Sequence, residues 1–318
     1  MDFKQIRAFV QVAELGSFTR AAAVLQIAQP ALSRQVRALE VDLRQALFAR
    51  NGRGVTLTEA GTRLLAHGRG ILQQVERARQ DLADPSGAVA GLLSIGLPPS
   101  LSRTLTTPLV AAFRTRFPRA TLTMVEGLSN YTLEWLEQGR IDCAVVYNAT
   151  PSAATDLQPV VDEQLFLVSS RSPGRQAALR PATLADVAAH ELVIPSRPHA
   201  IRMRLETVLA QAGLKPRVDL EIESVPAILD LVHSQRLHAV LSRSALLASG
   251  HEADFVARPI VLGLKSRGPA TPLTTTLWIA TAAHRPRGPL LEQAVALLAE
   301  LLQRDLAGQP LRAKPRRS

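Results

Sequence analysis

The chain has 318 residues, 47% of them hydrophobic, with a formal net charge of +10 and a single cysteine, Cys143. This length exceeds that of one small domain and favours two or three domains, and the positive charge favours a polyanionic partner. No segment approaches the roughly 18 uncharged apolar residues of a membrane-spanning helix, and the start, MDFKQIRAFVQ, is not an apolar signal segment. One cysteine forms no internal disulfide, which fits a reducing compartment. We therefore expect a cytoplasmic protein that is not bound to a membrane.

Three short helices are predicted at the start of the chain. Phe3, Ile6 and Val10 give the first helix an apolar face. Ser17 is a suitable N-cap for the second helix. The chain then breaks at residues 26–28, and Pro30 lies where a first-turn proline starts a helix.

The third helix has two distinct faces. Its apolar residues follow the spacing i, i+4, i+7 and i+11 and predict one buried face: Leu32, Val36, Leu39 and Leu43. Its opposite face carries side chains suited to base edges and phosphates: Gln29, Ser33, Arg34 and Arg37. Such a helix is typical of the recognition helix of a helix-turn-helix unit. An ordinary amphipathic helix pair with solvated arginines would show the same pattern, so this stretch alone leaves DNA binding open.

A basic hairpin is predicted directly after this helix. Residues 47–50 and 55–57 read as two short strands, and the turn between them contains two glycines. Arg50 and Arg53 are then placed to reach backbone phosphates or the minor groove, as the wing of a winged helix does.

A long helix follows the hairpin. Thr58 is its predicted cap, Glu59 lies in its first turn, and it runs to about Asp84. Two series of residues at heptad spacing, offset by four, form an a/d seam: Leu64, Ile71 and Ala78, with Gly68, Val75 and Leu82. The seam predicts dimerisation through this helix, with Leu64, Ile71, Val75 and Leu82 as its apolar contacts.

Strands and helices alternate beyond Gly91. Strands are predicted at 92–97, 121–126, 141–147, 164–169, 191–194, 218–222, 239–241 and 274–281, and helices at 100–117, 131–138, 200–212, 225–233 and 290–306. Successive βα units predict an α/β fold with a parallel sheet covered on both faces. The length of this region favours two lobes, and ligands of such folds bind at the carboxyl ends of the strands.

Several segments together resemble the LysR-type transcriptional regulators. At the N-terminus these are ELGSFTRAA, QPALSRQVRALE, LFAR and GVTLTEAG, and further along FPRATLTMVEG, LEQGRIDCAVV and ESVPAILDLVHSQRLHAVLS. The resemblance implies a winged helix-turn-helix (1–58), a linker and dimerisation helix (59–87) and a two-lobed effector domain like periplasmic binding proteins (88–303). Few apolar groups and five basic residues predict a disordered basic tail at residues 304–318. The resemblance makes about 91–161 and 268–303 lobe I and about 162–267 lobe II. It also implies a homodimer that assembles to a homotetramer on double-stranded promoter DNA.

The sequence departs from the family pattern at two places. Arg44 stands where the family usually has a glycine after the recognition helix, so we expect a different cap there. Residues 235–242, QRLHAVLS, replace a Gly-x-Gly-x-x-x-Leu-Pro pattern. The predicted DNA-binding set is Ser17, Thr19, Arg20, Gln29, Pro30, Ser33, Arg34, Arg37, Arg50 and Arg53.

An effector site is predicted where strands lead into helices. Residues 98–102 and 195–197 follow strands, and helix N-termini, hydroxyls and arginines favour an anion, so we expect a small carboxylate or similar effector. With the contacts that the resemblance implies, the predicted set is Ser100, Leu101, Ser102, Ser129, Asn130, Tyr147, Ser196, Arg197 and Arg202. The alternative is that Arg197 and Arg202 are solvated or paired with Glu206.

The motifs of catalysis are missing from the sequence. It contains no G-x-S-x-G, Walker A or G-x-G-x-x-G motif, and its histidines are scattered without a metal-ligand pattern. We therefore expect no enzyme activity, no metal and no cofactor. Two functions remain: a ligand-responsive DNA-binding regulator, or a solute-binding protein of the periplasmic type. The winged N-terminal unit and the lack of a signal segment favour the regulator.

Overall fold

The N-terminal part forms three helices and a hairpin. The computed structural model describes residues 1–51, 54–83, 89–171, 180–262 and 271–306. Its first elements are α1 (Phe3–Leu15), α2 (Phe18–Leu25), α3 (Gln29–Leu43), β1 (Phe48–Asn51) and β2 (Gly54–Leu57). The predicted order of elements is confirmed. Three of the four ends of the hairpin strands differ from the prediction by one residue, because the strands include the pair Asn51 and Gly54.

Capping and packing explain where the three helices begin. The Asp2 carboxylate caps α1, and the Ser17 hydroxyl accepts a hydrogen bond from the Arg20 N–H at the start of α2. Helix α3 begins with Pro30 in its first turn, as predicted. Buried residues of all three helices share one core: Ala8, Val12, Ala21, Ala22, Leu32 and Val36.

The end of α3 is closed by Arg44 in the left-handed conformation, with φ of +52°. Its N–H donates to the Glu40 and Val41 carbonyl groups. The expectation of a different cap is therefore wrong: Arg44 adopts the conformation that a glycine favours at this position. The Glu40 carboxylate in turn accepts hydrogen bonds from the Leu47 and Phe48 N–H groups, which ties the hairpin to α3.

Helix α4 (Glu59–Ala83) leaves the hairpin at a tight junction. The Thr58 hydroxyl oxygen accepts a hydrogen bond from the Gly61 N–H at 3.0 Å, which confirms the prediction that Thr58 caps this helix. The same hydroxyl donates to the Ala46 carbonyl at 2.7 Å. A Cβ atom on Gly61 would lie 2.1 Å from the Leu47 carbonyl oxygen. Only a glycine lets α4 pass this close to the backbone of residue 47.

Part of the predicted a/d seam of α4 packs within the chain. Leu64 contacts the core below α1, and a Cβ atom on Gly68 would lie 2.8 Å from Val10 of α1. Ile71 is 38% exposed and Val75 is half-buried. The side chain of Leu82 lies outside the described residues.

The C-terminal part contains the remaining elements in chain order. They are β3 (Ala90–Leu97), α5 (Pro99–Arg116), β4 (Arg119–Glu126), α6 (Ser129–Glu137), β5 (Cys143–Tyr147), β6 (Thr155–Ser170), β7 (Ala182–Thr183), α7 (Leu184–Ala189), β8 (Glu191–Ile194), α8 (Ala200–Gln211), β9 (Arg217–Glu221), α9 (Val225–Gln235), β10 (Ala239–Ser242), α10 (Arg243–Ser249), β11 (Phe255–Val261), β12 (Thr274–Ala282) and α11 (Pro289–Leu306). We call β3–β5 with β12, α5, α6 and α11 lobe I, and β7–β11 with α7–α10 lobe II. Among the described helices, none is long and apolar enough to cross a membrane.

The two lobes share one strand. The strand order is β4-β3-β5-β12-β6-β11-β7, with β10 also paired to β6. Residues 155–164 of β6 pair with β12 in lobe I, and residues 165–170 pair with β10 and β11 in lobe II. Strands β8 and β9 form a separate parallel pair. Sequence analysis predicted only residues 164–169 of β6 and missed β7, α7, α10 and β11.

The prediction of a parallel sheet is wrong for half of the pairings. Strands β3, β4 and β5 are parallel, but β5–β12, β12–β6, β6–β10 and β6–β11 are antiparallel. Strands β12, β10 and β11 all run opposite to the strands that they pair with in β5 and β6, and a hydrophobicity pattern does not encode strand direction. The parallel part, β4-β3-β5, nevertheless collects its carboxyl ends at the edge of lobe I that faces lobe II.

The close approach of Gly61 to the Leu47 carbonyl predicts that adding a methyl group at residue 61 lowers the stability of the fold. Alanine favours a helix by about 1 kcal/mol over glycine, but overpacking against the Leu47 backbone costs about 1–3 kcal/mol. We expect Gly61→Ala to lower the apparent melting temperature of the N-terminal domain and to speed its amide exchange. Thr62→Ala, at the exposed neighbouring position, is the control. An unchanged melting temperature in Gly61→Ala would contradict the contact.

Candidate functional site

The first candidate site is the outer face of α3. Gln29, Arg34 and Arg37 are exposed, Ser33 is half-buried, and the Gln29 amide nitrogen lies 3.4 Å from the Ser33 hydroxyl oxygen. Neither arginine forms an ion pair with any described residue. The face is thus positively charged and rich in hydrogen-bond donors, while its back is fixed in the core.

The structure places the other predicted DNA contacts around α3. Thr19 and Arg20 are exposed in the first turn of α2 and Pro30 is exposed in the first turn of α3, and the Arg20 guanidinium donates to the Leu15 carbonyl. Ser17 acts as the cap of α2. The side chain of Arg50 and the whole of Arg53 lie outside the described residues, so their role stays a prediction.

The second candidate site is a cleft between the lobes. It encloses about 430 Å³ between the end of β5, the start of α6 and the start of α8. Its lining from lobe I is Ser129, Asn130, Leu133, Tyr147, Asn148, Ala149 and Thr150, and from lobe II Pro198, Ala200, Met203, Arg204 and Thr207. This is the edge where the carboxyl ends of parallel strands meet.

Three predicted effector residues line this cleft, and six do not. Ser129, Asn130 and Tyr147 are in the lining. Leu101 and Ser102, in the first turn of α5, are buried in lobe I. Ser100 lies behind Tyr147, with its hydroxyl oxygen 3.2 Å from the Tyr147 hydroxyl oxygen. Ser196 instead donates to Glu223 at 2.8 Å.

The two predicted arginines of lobe II are neutralised by carboxylates. Arg202 is 7% exposed, and its guanidinium donates to Glu206 at 2.8 Å and to the Pro195 carbonyl at 3.0 Å, with Glu221 at 2.8 Å. Arg197 also pairs with Glu206, at 2.9 Å. Burial opposes ionisation of Glu206, but the hydrogen bonds from both arginines outweigh it and lower its pKa. The structure therefore shows the paired alternative, and Arg202 braces the 195–202 turn.

Arg204 and Asn148 are donors in the cleft that the sequence analysis missed. Arg204 forms no ion pair with a described residue and lies across the cleft from Ser129 and Asn130. Asn148 has a left-handed backbone, with φ of +48°, and its Oδ1 accepts from the Thr276 N–H. Its buried Nδ2 donates to no atom of the described chain. The helical period gave no signal for Arg204, because it lies three residues after the buried Ile201 and four before the buried Val208.

A buried polar cluster connects the cleft wall to lobe II. Glu163 on β6 is 2% exposed, and it accepts hydrogen bonds from the Tyr147 hydroxyl at 3.1 Å and from the Ser244 N–H and hydroxyl. Burial raises the pKa of Glu163, and the hydrogen bonds oppose this. Burial and the adjacent Glu163 raise the pKa of Tyr147. Tyr147 belongs to lobe I and Ser244 to lobe II, so the cluster fastens one lobe to the other.

His199 is the cap of the helix that forms the lobe II wall. Its Nδ1 accepts from the Ile201 N–H at 3.3 Å, which requires the neutral imidazole. Burial lowers the pKa of His199 to about 4, although Glu223 opposes the shift. In the described part of the chain, no group of three or more His, Cys, Asp or Glu side chains is arranged to hold a metal ion.

The N-terminal and C-terminal parts of the chain each match a known family model. Residues 3–62 match "Bacterial regulatory helix-turn-helix protein, lysR family", and residues 86–303 match "LysR substrate binding domain". The nitrogen assimilation regulatory protein nac of Escherichia coli is 37% identical over 247 residues, 77% of this chain and 79% of that protein. The transcriptional regulator DgdR of Burkholderia cepacia is 31% identical over 257 residues, 78% and 80% of the two chains.

Solved structures share the same architecture over almost the whole chain. A full-length OxyR variant from Pseudomonas aeruginosa superposes with a TM-score of 0.72, at 21% identity, over 95% of each chain. Full-length CbnR in complex with its target DNA superposes with a TM-score of 0.67, at 25% identity, over 95% of this chain and 100% of that one.

The cap formed by His199 predicts acid sensitivity of the cleft wall. Because the pKa is about 4 in the folded chain and about 6.5 when unfolded, the unfolded chain binds more protons between these values. The contribution of His199 to stability is therefore complete above about pH 6.5 and is lost as the pH falls toward 4. We expect His199→Asn, which caps without titrating, to show a smaller fall in melting temperature over this range than the wild type. His233→Asn, at an exposed position, is the control and should follow the wild type.

Proposed function

Because this chain belongs to the LysR family of bacterial transcriptional regulators, we propose that it binds promoter DNA through α3 and that a small carboxylate in the interlobe cleft controls this activity. The observation that supports the ligand class most strongly is Arg204, which lines the cleft and forms no ion pair with a described residue. The family consists of regulators and not of enzymes, and we propose no catalytic step. DNA as the partner supports a cytoplasmic location.

The DNA-binding proposal rests on the opposite faces of α3. Leu32, Val36 and Leu39 fix its back in the core, so its orientation does not depend on the exposed side chains. Arg34 and Gln29 are then free to meet guanine and adenine edges in the major groove. The hairpin held by Glu40 supplies the wing, and a neighbouring protein, CbnR, has been solved with its target DNA.

The carboxylate proposal rests on the charge and size of the cleft. Arg204 carries the only full charge among the described residues of the lining, and the Asn148 amide adds a donor. Ser129 and Asn130 begin α6, where backbone N–H groups have no partner within the helix. These groups favour a ligand with acceptor oxygens and a negative charge. Leu133, Ala149 and Met203 add apolar surface, and about 430 Å³ suits a ligand of modest size.

We propose a homodimer through α4 that assembles to a homotetramer. Among the described side chains of the predicted seam, Ile71 is exposed and Val75 is half-buried, so both have apolar surface left for a second copy. Leu64 contributes less, since it already packs below α1. The division into residues 1–58, 59–87 and 88–303 is part of this proposal. The predicted start of the tail at residue 304 is wrong, because α11 continues to Leu306, which is buried. A solute-binding protein without a regulatory role is disfavoured, because the helix-turn-helix match spans residues 3–62.

Substitution of Arg34 tests the reading of base edges. Sites are first selected from genomic DNA with the wild-type protein, and affinities are then measured on selected and random duplexes. We expect Arg34→Ala to lose about 1–3 kcal/mol of discrimination at one base position. Arg53→Ala should weaken binding to all sequences alike and reduce its salt dependence. Equal losses on selected and random DNA for Arg34→Ala would contradict base readout by this side chain.

Substitution of Arg204 tests the ligand class. Succinate and benzoate are titrated against the full chain beside their neutral amides, with the melting temperature as readout. We expect a carboxylate to stabilise the wild type more than its amide, and Arg204→Gln to weaken that binding about 10- to 100-fold, as loss of a charge-assisted hydrogen bond does. Arg103→Gln, exposed on α5 outside the cleft, is the matched control. Binding that favours the amides, or that Arg204→Gln leaves intact, would overturn the carboxylate proposal.

A further inference from the structure

Helix α6 joins two distant parts of the chain. Its first residues, Ser129 and Asn130, line the cleft. The residues just after its last turn, Gln138 and Gly139, meet Gly70 of α4. The helix is nine residues long, so it spans roughly 13 Å between its ends. A single short helix thus touches both the cleft and the helix that carries the DNA-binding domain.

The contact with α4 is made backbone against backbone. A Cβ atom on Gly70 would lie 2.8 Å from the Gln138 carbonyl oxygen, and a Cβ atom on Gly139 would lie 2.8 Å from the Gly70 Cα. Gly139 also has a φ of +75°, which favours glycine. On the other side, the Arg285 guanidinium donates to the Glu137 carbonyl at 2.7 Å. The end of α6 is therefore held between α4 and Arg285, with no flexible side chain between the two backbones.

The body of α6 packs closely against two glycines of lobe I. A Cβ atom on Gly96 would lie 3.1 Å from Thr132 of α6, and one on Gly127 would lie 2.8 Å from Trp135. At the cleft end, the Ser129 hydroxyl oxygen accepts from the Tyr147 N–H at 3.0 Å. Since close-packed contacts leave little room for rotamer changes, a displacement of the first turn is transmitted along the helix.

We propose that α6 couples the cleft to the DNA-binding domain through the contact between Gly139 and Gly70. This coupling rests on the proposed function for its biological use, but its mechanical part does not require a ligand. From Gly70 the route continues along α4 to Gly61, which lies against the Leu47 backbone, and the Leu47 N–H donates to Glu40 of α3. Occupancy of the cleft then shifts the position of the recognition helix.

The coupling is tested in reverse, because an energetic link between two sites acts in both directions. Gly70→Ala places a methyl group into the contact with residues 138 and 139, and Gly68→Ala adds the same methyl group facing α1. Both changes favour the helical state of α4, so the full chain is expected to fold. Amide exchange by mass spectrometry is read at residues 132–135, the first hydrogen-bonded turn of α6, and at residues 136–139.

In Gly70→Ala we expect exchange to rise at least about threefold at both ends of α6, and in Gly68→Ala to stay within experimental error of the wild type at the cleft end. A rise confined to residues 136–139 would overturn the coupling, because the disturbance would stop at the contact. No change at either end would overturn it too, as would an equal change in both variants.

Measurements of carboxylate binding distinguish a failure of this proposal from a failure of the proposed function. Binding of succinate and benzoate is measured on wild type, Gly70→Ala and Gly68→Ala, and we expect a several-fold change in affinity for a bound carboxylate in Gly70→Ala alone. If neither compound binds any of the three proteins while the exchange result holds, the ligand class fails and the coupling stands. If a carboxylate binds all three with the same affinity, the coupling is overturned and the ligand class stands.

Discussion

The buried carboxylate of Glu163 is the interaction on which the arrangement of the two lobes depends. It lies on β6, which pairs with lobe I along its first part and with lobe II along its second. A carboxylate at this depth is tolerated only with several hydrogen bonds, and it receives them from Tyr147 of lobe I and Ser244 of lobe II. These partners must stay close to satisfy it, so the angle between the lobes is fixed where the cleft opens.

Neighbouring charges then decide what the cleft presents to a ligand. Arg197 and Arg202 are nearer in sequence to the end of β8 than Arg204 is. Glu206 and Glu221 neutralise them, and these ion pairs hold the 195–202 turn in place. Arg204, two residues further along α8, has no such carboxylate in the described chain and keeps its charge for the cleft. The difference between a structural and a binding arginine is thus set by which face of one helix each side chain occupies.

Glycines determine how α4 packs against the rest of the chain. Gly61 lets α4 leave the hairpin against the Leu47 carbonyl, Gly68 brings it onto α1, and Gly70 brings it onto the end of α6. Three glycines in ten residues weaken the helix on its own, but each removes a side chain where two backbones or a backbone and a core residue meet. Helix α4 is therefore positioned by close contacts on successive faces.

Local periodicity and capping residues determined much of this protein from sequence alone. Ser17, Pro30 and Thr58 set the starts of three helices, and the apolar spacing of Leu32, Val36 and Leu39 identified the back of α3, because these signals act within one or two turns of chain. Tertiary structure alone decided the direction of β12 and β6, the pairing of Glu163 with Tyr147 and Ser244, and the neutralisation of Arg202 by Glu206 and Glu221. Each of these joins residues that lie far apart in the chain or on particular helix faces, and the free energy of a buried charge depends on partners that a linear pattern does not place.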